Sequence, residues 1–204
     1  MSKSIDQLIV NNPYLEPIKH WLYNREDQTF ELKNGRRNAG YWKKSDQKLD
    51  ESDFGEFIEI ELVNRIRPRV KKWREENYPN VTPTTKRLLD FWTDKNQREQ
   101  NQNPFFCQME AVETAIWLTE AIESEKQGIK IPSDGSWLRE CFKLATGTGK
   151  TVVMSMLIAW NVLNKVANPR DARFSKNILI VAPGITVKDR LSVLHPSTDD
   201  NFYK

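Results

Sequence analysis

The residues with the clearest chemistry are Thr146-Gly147-Thr148-Gly149-Lys150-Thr151. Two closely spaced glycines let a backbone curl so that its N–H groups face one anion. The lysine that follows places a positive charge on phosphate oxygens, and the next hydroxyl stands where a phosphate-binding loop ligates magnesium. The full spacing GxxxxGK[ST] asks for glycine at position 144, where this chain has Leu144. Context restores the match. WLRECFKLA (137–145) reads as a short apolar strand and TVVMSMLIAWNVLNKV (151–166) as an apolar helix, so the loop falls on a strand–helix junction. A helix beginning there adds its positive end to an anion site. Nucleotide binding is therefore assigned to Thr146, Gly147, Thr148, Gly149, Lys150 and Thr151, with Lys150 on the β/γ-phosphates and Thr151 on magnesium.

The elements around this loop set the expected architecture. FFCQMEAVETAIWLTEAIESEKQG predicts one long helix ended by Gly128. Residues 131–135 read as a turn. NILIVAP (177–183) is an apolar run suited to a buried parallel strand. Helix, strand, loop, helix, strand is the beginning of an α/β layer fold with a parallel sheet and flanking helices. TDKNQREQNQNP is a polar linker, so a boundary is placed at residues 94–103. It separates an N-terminal module, 1–93, from the nucleotide domain, 104–204.

The N-terminal module reads as mainly helical. Phe57 or Ile58, Leu62, Ile66, Val70 and Trp73 recur at helical spacing, with a kink or break expected near Arg67 because Pro68 follows. Acids precede this helix, and Arg65, Arg67, Arg69, Lys71, Lys72 and Arg74 run along it. That run reads either as charges complementing the helix's own dipole or as a basic ridge for a nucleic-acid backbone. VTPTTKRLLDFW predicts a second helix capped by Thr84 or Thr85. Residues 1–55 read as polar and irregular, with NNPYLEPIKHWLY as ordered extended chain and a turn at Asn34-Gly35.

Bulk properties narrow the class. The chain has 204 residues, of which 38% are hydrophobic and 29% charged, with a net charge of +3. A mild positive balance permits nucleic-acid binding without requiring it. The two cysteines, Cys107 and Cys141, lie in apolar stretches and read as buried free thiols; with two histidines and no paired-Cys motif, a zinc site is not expected. The sequence contains neither a membrane-length apolar stretch nor a signal-peptide pattern. A reducing cytoplasm and no membrane partner fit these features.

Leu-Ala-Thr-Gly-Thr-Gly-Lys-Thr resembles the phosphate loop of superfamily 2 helicases and translocases. Phe105-Phe106-Cys107-Gln108 is similar to the Q motif of that family, in which a glutamine reads the adenine edge. An amide that donates and accepts suits adenine; a surface position near a helix start is the plainer reading of Gln108. Phe91 and Trp92 are candidates to stack on the base or simply to fill the core. ILIVAPGITVKDRL (178–191) resembles helicase motif Ia. The resemblance implies nucleic-acid backbone contacts from Pro183, Gly184, Thr186, Lys188 and Arg190, although Lys188 and Arg190 read equally as solvated helix charges.

NPYLEPIKHW, GRRNAGYW, the stretch from Leu62 to Trp92, FFCQMEAVETAIWL and APGITVKDRLSVL together resemble the restriction (R) subunits of type III restriction endonucleases, DEAD/DEAH-box helicase-like proteins. The resemblance implies a RecA-like fold, ATP and magnesium as cofactors, double-stranded DNA as partner and substrate, and a methylase (modification) subunit as protein partner. A motor also needs an acidic box after an apolar strand. Downstream of Thr151 the acids are Asp171, Asp189, Asp199 and Asp200, and none follows such a strand. The chain is therefore expected to be the front part of an ATP-dependent translocase that lacks hydrolysis by itself. The alternative is a nucleotide- or DNA-binding module without catalysis.

Overall fold

The structure is a computed structural model describing residues 7–24, 27–43, 56–94, 103–131, 139–199, 201 and 203. The turn expected at 131–135 falls almost wholly outside them, as does most of the linker. Four short strands open the chain: β1 (Lys19–Asn24), β2 (Thr29–Asn34), β3 (Gly40–Lys43) and β4 (Glu56–Glu59). They form two separate antiparallel pairs, β1 with β2 and β3 with β4. The Asn34-Gly35 signal marks the end of β2, where Gly35 takes φ +89° and its N–H donates to the Ile18 carbonyl.

Helix α1 (Glu61–Glu75) buries Ile66, Val70 and Trp73 on one face. Phe57 and Ile58, expected on this helix, belong to β4 instead. The helix runs unbroken past Pro68, because apolar residues on both sides of the proline are anchored in the same core. Helix α2 (Pro83–Thr93) is capped by Thr82, rather than by the expected Thr84 or Thr85; its hydroxyl accepts from the Thr85 N–H at 3.1 Å, with Pro83 at the first helical position. Helix α3 (Phe106–Glu120) stops at Ala121, eight residues short of the predicted end. A series of turns carries the chain to Gly128, at φ +75°. Helix α4 (Lys150–Ala167) follows the phosphate loop as expected, and the short α5 (Ile185–Arg190) leads into a 3-10 turn (Leu191–Leu194).

Helices α1 to α4 share one core. Trp73, Leu89, Trp92, Val112, Ile116, Trp117, Met156 and Trp160 meet there, with α3 packed on α1 and α4, and α4 on α2. Helix α3 is apolar on nearly all sides, as a central helix must be. Two buried polar ties cross this core. Glu113 takes a bidentate pair from Arg74 and the Tyr78 hydroxyl at 2.7 Å; burial and this carboxylate push the Tyr78 phenol well up. Glu120 accepts from the Thr82 N–H (2.7 Å), the Thr85 hydroxyl (2.7 Å) and Trp160 Nε1 (2.8 Å), binding α2, α3 and α4 together. Asn164 completes this tie by donating to Thr85 Oγ1 at 2.8 Å.

The expected parallel sheet is not present among the described residues. Residues 139–145 and 177–182 belong to no strand and pair with no neighbour among the described residues. Leu179 is 88% exposed and Val181 81%, where buried strand residues were expected. A strand is held by hydrogen bonds to neighbours, and an apolar run alone cannot supply them. The fold is thus α/β in content, but its sheets are short, antiparallel and N-terminal. Cys141 is exposed, contrary to the expectation of burial; Cys107 is half-buried, and burial raises its thiol pKa. Among the described residues no helix is long and apolar enough to cross a membrane.

Candidate nucleotide site

The loop geometry follows from its two glycines. Gly147 and Gly149 take φ +79° and +70°, the left-handed region that side chains disfavour. Gly149 is the N-cap of α4, and its carbonyl accepts from the Val152 N–H at 2.9 Å. Ahead of Val152, the N–H groups of Lys150 and Thr151 open the helix with no preceding turn to accept them, and no acidic residue stands in the first turn. An anion placed at this end meets backbone donors and the positive end of an 18-residue helix.

The loop's side chains fold back on the segment that enters it. Thr148 Oγ1 and Lys150 Nζ both donate to the Ala145 carbonyl, each at 2.8 Å. Lys150 and Thr146 are exposed, and Thr151 is half-buried at the second position of α4. Lys150 is therefore tethered only by one carbonyl and is free to exchange it for a phosphate oxygen.

Gln108 is buried rather than on the surface, at the third position of α3. Its Oε1 accepts from the Phe105 N–H at 2.8 Å, the half of a capping box that a helix start can make without a hydroxyl. Its Nε2 donates to the Thr148 carbonyl at 2.8 Å, inside the phosphate loop. The close approach explains Gly149, since a Cβ there would collide with Gln108 Nε2. So the structure brings together Gln108 and the loop, two signals far apart in the sequence.

Of the aromatic candidates, Trp92 is a core residue and Phe91 stacks on Tyr203. The aromatic pair beside Gln108 is Tyr14 and Phe105, with ring centroids 5.4 Å apart, and the Phe106 N–H donates to the Pro13 carbonyl. Sequence reasoning missed Tyr14, because nothing local says that the N-terminal segment returns to the start of α3.

Pro183, Gly184, Thr186, Lys188 and Arg190 lie on one exposed feature, the bend leading into α5 and that helix itself. The Lys188 N–H donates to the Gly184 carbonyl at 3.0 Å. The following 3-10 turn anchors this feature by packing on α4 through buried Leu194.

The donor set fits a nucleotide's phosphates better than a protein-bound metal. Among the described residues no group of three His, Cys, Asp or Glu side chains is placed to hold an ion. Magnesium at this site would rest on the Thr151 hydroxyl and on phosphate oxygens.

Comparison with curated proteins and with solved structures gives no match. Residues 103–195 match the family model described as type III restriction enzyme, res subunit. That span contains Gln108, the phosphate loop and the α5 feature together, and this part of the chain is similar to the res subunit of type III restriction enzymes.

Proposed function

We propose that the chain is the ATP-binding portion of an ATP-dependent DNA translocase of the restriction-subunit type. The observation that carries this reading is the Gly147–Gly149 loop opening α4 and tied by Gln108 to the start of α3. Thr146–Thr151 would wrap the phosphates with backbone N–H groups, and Lys150 would leave the Ala145 carbonyl for the β/γ-phosphates. Thr151 would hold magnesium, which neutralises charge on the phosphate oxygens when bound. Gln108 would position the loop, with its second amide hydrogen and remaining lone pair available to an adenine edge. Thr186, Lys188 and Arg190, with the bend at Pro183-Gly184, would touch the DNA backbone. Residues 1–93 would serve as an accessory module, and the protein partner would be the modification methylase subunit.

A second reading, nucleotide binding without turnover, is supported by the downstream acids. Asp171 is held by Arg173 at 2.8 Å and Asp189 is exposed on α5, so neither is arranged as an acidic box. One experiment separates the readings: fluorescent-ATP binding and magnesium-ATP hydrolysis, with and without duplex DNA, for the wild type and Lys150→Ala. Binding lost in Lys150→Ala with no wild-type turnover supports the binding module. DNA-stimulated turnover abolished by the same change supports the motor. Binding indifferent to Lys150 overturns both.

A further inference from the structure

The basic run on α1 is neither a plain solvated face nor a uniform ridge. Arg74 is taken by Glu113, Lys71 by Glu16 (2.9 Å) and Lys72 by Glu76 (3.6 Å). Arg65 donates to the Gly128 carbonyl, and Arg69 to the Glu125 and Gln127 carbonyls, so both hold the turns after α3. Arg67 is different. Among the described residues it makes a long 3.2 Å donation to the Arg37 carbonyl, and its buried Nε meets no acceptor.

Arg67 faces a cavity of about 210 Å³ between α1 and the Gly35–Ala39 loop. Arg36, Arg37 and Lys71 also line it, with Glu16 as the single acid. That acid is already paired with Lys71, and Arg36 is held bidentate by Glu110 at 2.5 Å. Glu59, close by, accepts from the Asn38 and Asn64 amides instead. Arg37 sits over the Phe57 ring at 4.9 Å. Among the described residues neither Arg37 nor Arg67 has a carboxylate within ion-pair distance, and Arg67 also keeps a buried unmet donor. Burial, and next the Arg36 charge, lower the Arg67 pKa, while the more weakly acting Glu110 and Glu16 raise it. Guanidiniums present paired donors matched to phosphate oxygens.

We infer that this cavity is a phosphate-binding site, with Arg67 and Arg37 as its primary donors, separate from the loop at Thr146–Thr151. Either a phosphodiester of a polynucleotide strand or a free phosphate would present the same oxygens. The pocket lies on the N-terminal module, so the inference does not depend on ATP binding at the loop.

The test uses the full chain, a fluorescein-labelled single-stranded oligonucleotide followed by anisotropy across a salt series, and inorganic phosphate followed through the Arg67 Nε–H NMR signal. For a polynucleotide phosphate, Arg37→Gln/Arg67→Gln lowers the log–log salt slope by about 1.4, from about 0.7 per contact on single strands. Arg67→Lys restores part of it. For a free phosphate, the oligonucleotide slope stays constant, while inorganic phosphate shifts the Arg67 Nε–H signal in the wild type but not when Arg37 is changed to Gln. Arg37→Gln alone, at an exposed side chain, serves if the double variant melts early. An unchanged slope together with an unmoved Nε–H signal overturns the proposal.

Discussion

Two apolar stretches of similar composition end in opposite states. VVMSMLIAW in α4 supplies Val153, Met156 and Trp160 to the core, whereas ILIV at 178–181 is exposed along its whole length. A helix closes its own backbone hydrogen bonds within four residues, so its apolar face needs only one surface to pack on. A strand has no internal partners and acquires both its hydrogen bonds and its burial from neighbours. The nucleotide loop is built on the self-sufficient element, and its geometry rests on two glycines and a helix start, both local, with one long-range tie from Gln108.

The largest effect that would break this comparison lies in the helical core. Glu120→Ala removes the carboxylate that accepts from Thr82, Thr85 and Trp160, leaving Trp160 Nε1 only its longer bond to Thr85 Oγ1, and should cost about 2–4 kcal/mol in urea unfolding. A loss under 1 kcal/mol would mean that the helices hold together without this tie. Gly149→Ala is next. It combines a left-handed φ with a clash at Gln108 Nε2, and should cost about 1–2 kcal/mol while abolishing nucleotide binding. Unchanged nucleotide affinity would show that the loop does not need its tie to α3.

Smaller effects sharpen the contrast. The hydrogen bond from Arg173 holds the Asp171 carboxyl below the ordinary carboxylate range. Its folded pKa is depressed, so the stability it adds is present above the unfolded value near 4 and lost as pH falls through the folded value. Asp171→Asn should flatten the acid limb of the stability profile by about 0.5 kcal/mol, as an exposed pair allows. Leu179→Lys and Val181→Lys should change stability by under about 0.5 kcal/mol while raising solubility, because these side chains face water. A larger loss would place the 178–181 stretch in a packed environment.

The phosphate loop, α2, α4 and the core face of α1 were legible in the sequence, since each rests on contacts within a few positions: glycines beside a lysine, or apolar residues every third and fourth. The mistakes were of another kind. Phe57 and Ile58 fit a helical period but pair with Trp42 and Tyr41 in a hairpin-like ladder, and the start of a strand pair is invisible without its partner. Pro68 predicted a break that the surrounding core overrides. The 178–182 run promised a buried strand on composition alone.

What the sequence determined by itself was the chemistry: a lysine and a threonine at the mouth of a helix, and a glutamine before it. Only the tertiary structure decided that Gln108 ends inside the phosphate loop, that Tyr14 returns beside Phe105, and that Arg67, alone in the basic run, keeps a buried donor unmet. Residue types and short spacings are carried by the chain. Contacts between distant segments exist only once the core has drawn those segments together.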